Sequence, residues 1–278
     1  MIKGKFVSFL LARTSFLGFL FCSKTASLRL IFLRIHIIWS SIMAEQQVQP
    51  LHNEKHANIK VKNGINVEFL KSQHLMPVVA HEFARVATEF PMAFVKNTEN
   101  GQFQPVVMFG LEPGENLFVQ DGKWTAGFAP LAAARYPFGL VKHPEEDQFG
   151  IVIDEASPLV GEEEGNALFA DGKETEYLER RKEALVNYVE FARVTEAFTA
   201  YLAEKELLVQ QTLTVEIAGE KKDINGIYLV DERKLNELSD EAYLELRKRG
   251  YLAPIFSFLT STHQVARLAR LKAQRQAS

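Results

Sequence analysis

Seven residues near the middle of the chain carry side chains able to do chemistry: Glu115, Asn116, Trp124, Arg135, Tyr136, Asp154 and Ser157. They fall at the ends of apolar runs, where a β-scaffold presents polar groups around an aromatic platform. Trp124 offers a face on which a sugar or peptide ring can stack. Arg135 offers a planar fork that grips a carboxylate in two-pronged fashion. Together, Arg135, Asp154 and Ser157 make the centre of a rival reading, an enzyme acting on a peptide or small metabolite. Plain structural uses compete for the same residues. Trp124 and Tyr136 suit core packing, Arg135 suits an ion pair, and Asp154 suits an Asx turn bonding back toward Ser157. Adjacent carboxylates at Asp154 and Glu155 point in different directions, which does not suit paired acid–base work.

Other chemistry is thinly supported. His52 and His56 stand four apart with Glu54 between them. The metalloprotease motif instead places its Glu beside the first His, on a stable helix, so these histidines are expected to sit in water. The Glu162-Glu163-Glu164 run reads as a solvated loop. No dinucleotide fingerprint, phosphate-cradling loop or nucleophile elbow is present. The one cysteine, Cys22, lies in a basic leader, so the body holds no disulfide, thiolate nucleophile or cysteine-bound zinc. No cofactor and no metal are expected.

The elements that must position these residues come from a motif written twice. The first copy runs from Phe90-Pro91 to Val95-Lys96, through an apolar run at 103–109, and closes on Leu117-Phe118 and Asp121-Gly122-Lys123. The second runs from Tyr136-Pro137 to Val141-Lys142, through 149–153, and closes on Leu168-Phe169 and Asp171-Gly172-Lys173. Each copy opens at a proline, which suits the first residue of a strand. Asn100-Gly101 in one copy and residues 144–147 in the other supply the reversal, and Asp-Gly makes the closing turn. Two β-meanders of this kind are expected to pair as pseudo-symmetric halves, with a polar site between them.

The combination of blocks resembles the bacterial SapC family. It is carried by Phe90-Pro91 through Lys96, Gly101-Gln102-Phe103-Gln104-Pro105-Val106, Gly114-Glu115-Asn116-Leu117-Phe118 and Trp124. Arg135-Tyr136-Pro137-Phe138, Asp154 with Ser157-Pro158, and Gly165 through Phe169 complete it. The resemblance runs from about Val78 to the end of the chain. It implies a link to surface-layer or envelope assembly without a defined catalytic activity, and a start near Met43.

Beyond the motif, Thr175 suits an N-cap, with Glu176 and Glu179 at the positive end of a helix of about 28 residues. Its apolar positions step by threes, fours and sevens from Tyr177 to Leu202. Residues 211–217 alternate and turn at Ala218-Gly219 into 224–230, a hairpin. Short helices are expected after Asp231 and Ser239, the second stopped by Gly250, and a last helix from about Thr262. Earlier, residues 66–70 read as a strand and 78–90 as a helix. The late bases, Arg267, Arg270, Lys272 and Arg275 among them, read as a solvated tail.

Composition sets the frame. The 278 residues are 47% hydrophobic and 24% charged, as in an ordinary globule. Residues 1–42 hold six bases and no acid, which leaves 26 bases against 35 acids beyond them. An acidic body argues against nucleic-acid binding. The leader breaks its apolar bursts with Arg13 and Lys24, and reads as a start placed too early or else as a membrane or export segment. The expected layout is a leader over 1–42, a flexible arm over 43–64 and one α+β domain over 65–278. In that domain the duplicated antiparallel β-meander units pack against a long helix and C-terminal helices. The expected product is soluble and monomeric or weakly dimeric, with a protein, saccharide or peptide ligand. It is cytoplasmic if translation starts at Met43, and otherwise tied to the cell envelope, with membrane contact only through residues 1–42.

Overall fold

The computed structural model describes residues 47–142 and 149–277. The expectations for residues 1–42 and for the turn at 144–147 lie outside the described residues. The fold is α+β, with antiparallel strand pairs, one long helix and a helical C-terminal portion. Among the described residues, no helix is long and apolar enough to cross a membrane.

The largest sheet orders five strands as Leu208–Ile217, Glu220–Val230, Met92–Lys96, Phe103–Met108 and Leu75–Pro77. Met92–Lys96 and Phe103–Met108 form a first hairpin, in register from Met92 opposite Val107 to Lys96 opposite Phe103. Gly101 makes its reversal possible at φ +73°. The outer hairpin turns at Ala218 and Gly219, both with positive φ, as a two-residue hairpin loop requires. A second, three-stranded sheet joins Val48–Pro50, Phe149–Asp154 and Phe138–Lys142. The last two strands are the second hairpin. Smaller pairings put Lys60–Val61 between Val160–Gly161 and Asn166–Ala167. Two short hairpins reverse at Asp121-Gly122 and Asp171-Gly172, with all four residues at positive φ.

Several hydrogen bonds recur between the two copies. The Pro91 carbonyl accepts the Met108 N–H at 2.9 Å, and the Pro137 carbonyl accepts the Asp154 N–H at 3.0 Å. Thr125 donates both its N–H and its hydroxyl to the Phe118 carbonyl, as Thr175 does to the Leu168 carbonyl. Asn116 Nδ2 donates to the Leu70 carbonyl, and Asn166 Nδ2 to the Val61 carbonyl. The two hairpins nevertheless do not pair with each other as expected. The first is flanked by the outer hairpin and Leu75–Pro77, while the second takes Val48–Pro50, so they lie in separate sheets.

Each sheet has its own core. Phe90, Phe94, Phe109, Phe118 and Phe258 pack in the first; Val61, Phe138, Ile153 and Leu168 pack in the second. The long helix, Glu176–Glu204, runs along both, over roughly 43 Å. Its N-terminal half contributes Leu178 and Leu185 to the second core. Its C-terminal half contributes Phe198, Tyr201 and Leu202 to the first. Thr175 caps it by accepting the Leu178 N–H, as its sequence position suggested.

Some local expectations are corrected. Residues 66–70 are not a strand: Asn66 accepts the Phe69 N–H at 3.0 Å and caps the helix Val67–Lys71. Residues 78–90 give only a 3-10 turn, Ala80–Glu82, and the short helix Phe83–Val86. The stretch 47–64, expected as a loose arm, supplies Val48–Pro50 and Lys60–Val61 to sheets, because the second hairpin and residues 160–167 would otherwise keep open edges. At the other end, Pro254 is accommodated in the first turn of the helix Leu252–Ser261, where its missing N–H breaks no bond. The last helix, Val265–Ala277, follows it.

Candidate functional site

Three of the seven candidate residues come together. Tyr136 donates its hydroxyl to Asp154 Oδ2 at 2.6 Å. Asp154 Oδ1 also accepts the N–H groups of Gln47 and Ala156, each at 3.2 Å. Ser157 is buried, and its Oγ accepts the Leu159 N–H. Asp154 is thus an Asx-turn residue that also anchors an incoming strand. Burial, reinforced by the Asp154 carboxylate, pushes the Tyr136 hydroxyl above the usual phenol range. The ring stacks on Phe69 at 5.4 Å.

Arg135 does not join them. Its guanidinium lies 5.0 Å over the ring of Tyr188, on the long helix. The remaining three residues serve the first core and its rim. Trp124 packs against Phe90, Phe109 and Phe118 and donates its indole N–H to the Phe128 carbonyl at 2.9 Å. Asn116, only 2% exposed, bridges Leu70 and Phe118 through its amide. Glu115 accepts the Leu111 N–H and pairs with Lys272.

Sequence reasoning missed several polar anchors. His56 is 1% exposed and is not solvated: it bonds the backbone of His52 and reaches Glu155 at 2.9 Å, where Lys55 also pairs. Nothing in the polar composition around it announced that burial. Lys272 and Arg275, read as a solvated tail, instead hold the last helix down. Lys272 pairs with Glu112 and Glu115, and Arg275 donates to the carbonyls of Asn116 and Val119. Their spacing of three on an amphipathic helix was the available signal. Glu82 is buried, and burial pushes its carboxyl up, although both oxygens accept backbone N–H groups, from Val79 and Leu131.

A cleft of about 550 Å³ opens beside the first hairpin, between its Asn97–Pro105 stretch and the long helix. Asn97, Asn100, Gln102, Glu196 and Thr199 give it a polar wall, and Tyr188 closes the end nearest Arg135. Gln102 Nε2 donates to Glu196 across it at 3.1 Å. The cleft therefore lies between one β-unit and the helix, not between the two units. Among the described residues, no group of three or more His, Cys, Asp and Glu side chains is placed to hold a metal ion.

No curated protein and no solved structure gives a significant match to the chain. A protein-family model does, over residues 51–268. That span takes in the five-stranded sheet, the second hairpin, the cleft and the Tyr136–Asp154 pair, so the chain belongs to the SapC family.

Proposed function

We propose that this protein is a non-enzymatic accessory or binding protein, serving surface-layer or envelope assembly, that holds a peptide or saccharide segment in the cleft beside the long helix. The observation that carries the reading is how fully most of the seven candidate side chains are consumed by the fold. Asp154 accepts three hydrogen bonds, Asn116 bridges two segments, and Trp124 and Glu115 are tied into the first core and the last helix. Arg135 is turned away from Asp154 and Ser157 toward Tyr188. The cleft leaves room for a ligand beside the amides of Asn97, Asn100 and Gln102, whose present partners lie within the cleft wall and its loop. The family's name supplies the envelope context, and the recurring hydrogen bonds support an origin of the two β-units by internal duplication.

The test is a titration of the full chain with short peptides and with oligosaccharide fragments, followed by backbone amide NMR shifts. Saturable shifts clustered on 97–105 and 188–203 are expected, and Asn100→Ala with Gln102→Ala should weaken them without lowering stability. Shifts that cluster instead on 136 and 154–157 would favour the enzyme reading.

A further inference from the structure

We infer that Arg135 and Arg181 form a subsite for an oxyanion, a carboxylate or phosphate group, where the short helix Leu131–Ala134 meets the long helix. The subsite shares Tyr188 with the cleft and so deepens the binding reading, on which its role in holding the cleft's ligand rests.

The Nε of Arg135 is buried and has no hydrogen-bond partner. Its guanidinium makes no ion pair with any described residue; its one contact of note is the Tyr188 ring. A cation–π contact satisfies none of the five N–H donors. Leaving a buried donor unmet is costly, so the site favours a ligand that supplies an acceptor. Arg181 approaches the same junction. Its Nη1 donates to the Ala134 carbonyl at 3.3 Å, one residue before Arg135, and its Nε donates to the Tyr177 hydroxyl at 3.2 Å. Its Cζ lies 5.2 Å over the Tyr177 ring. Among the described residues, Arg181 has no carboxylate partner either. The other three bases of the long helix do: Arg180 pairs with Glu176, Lys182 with Glu174 and Arg193 with Glu190. The missing anion is therefore local to this junction, not a habit of the helix.

Glu82 is close enough for its charge to be felt at Tyr188. It makes no ion pair with Arg135; its Oε1 and Oε2 accept the backbone N–H groups of Val79 and Leu131 instead. Two guanidiniums held against tyrosine faces, with donors left over, suit the planar, two-pronged recognition of an oxyanion.

The experiment follows the arginine side-chain N–H resonances of the full chain during separate titrations with inorganic phosphate and with succinate, at ionic strength fixed with sodium chloride. A saturable shift of the Arg135 Nε–H signal is expected with either probe, with a Kd of about 1 mM or below. Saturation by phosphate alone or by succinate alone assigns the subsite to that group. Arg135→Gln and Arg181→Gln should each weaken binding by about tenfold or more, while Arg193→Gln should not. Should Arg135→Gln fail to fold, the wild-type titration and Arg181→Gln still decide. Shifts that never saturate with either probe, or equal weakening in Arg193→Gln, would overturn the subsite. Peptide binding in the cleft without anion saturation sinks the subsite alone; anion saturation without cleft binding sinks the cleft alone.

Discussion

Tyr136 and Asp154 face each other across the base of the second hairpin, joined by a hydrogen bond of 2.6 Å. The bond ties Tyr136, two residues before the outgoing strand Phe138–Lys142, to the last residue of the returning one. Because the phenol is held above its usual range, it keeps its proton and donates throughout the neutral region. Tyr136→Phe leaves a buried carboxylate oxygen unmet and should cost about 1–3 kcal/mol in urea unfolding. A variant with full stability but lost ligand binding would show the pair to be functional instead.

Acid should loosen the last helix. Lys222 and Lys272 hold the Glu112 carboxyl below its ordinary value of 4.5, while Glu115 and Glu112 hold the Lys272 amine above its ordinary value of 10.5. A lowered carboxyl stabilises the fold above its unfolded pKa, and the gain is lost as pH falls through the folded value. A raised amine stabilises below its unfolded pKa, and that gain is lost as pH rises through the folded value. The network is thus fully in force between those limits. Lys272→Met should cost at most about 2 kcal/mol at neutral pH, since solvent screens part of the interaction. The gap from wild type should shrink below pH 4.5, as thermal melts across pH would record.

Two buried hydroxyls act as splints between distant segments. Ser261 Oγ accepts the Met92 N–H, and Thr195 Oγ1 accepts the Ala80 N–H at 2.8 Å. Ser261→Ala and Thr195→Val each strand one backbone donor, at about 1–3 kcal/mol. Hydrogen exchange should quicken at Met92 in the first variant and at Ala80 in the second. Unchanged protection at both amides would refute the assignment.

Glycines at positive φ are not equivalent. Gly165 sits at φ +120°, and a Cβ there would meet the Val61 carbonyl carbon at 2.5 Å, a backbone atom that cannot swing aside. Gly172, at φ +73°, has open space around it. Gly165→Ala should therefore cost about 3 kcal/mol or more, and Gly172→Ala only about 1 kcal/mol. Similar melting temperatures for the two variants would contradict this.

How much of this was legible depended on whether a residue's partner lay nearby in sequence. Thr175, Asp231 and Ser239 cap helices as their local patterns indicate, because a cap bonds two or three residues ahead. The Asp-Gly turns and the outer hairpin were readable for the same reason. Asn66 misled because residues 66–70 are too few to distinguish the two periodicities. His56 and Lys272 were misread because their partners lie 99 and 157 or more residues away. For the candidate site, the residue types were visible but not their allegiance. Arg135 and Tyr136 are neighbours in the chain, yet one faces the long helix and the other faces Asp154.

The helix Glu176–Glu204 gives one wall to each of two separate cores. Severing the chain ahead of it would strip Leu178 and Leu185 from the N-terminal fragment, while the C-terminal fragment would lose the strands that Phe198 and Leu202 cover. Neither piece retains a closed interior: truncation ahead of this helix should yield no autonomous half, and the two cores should melt in a single transition.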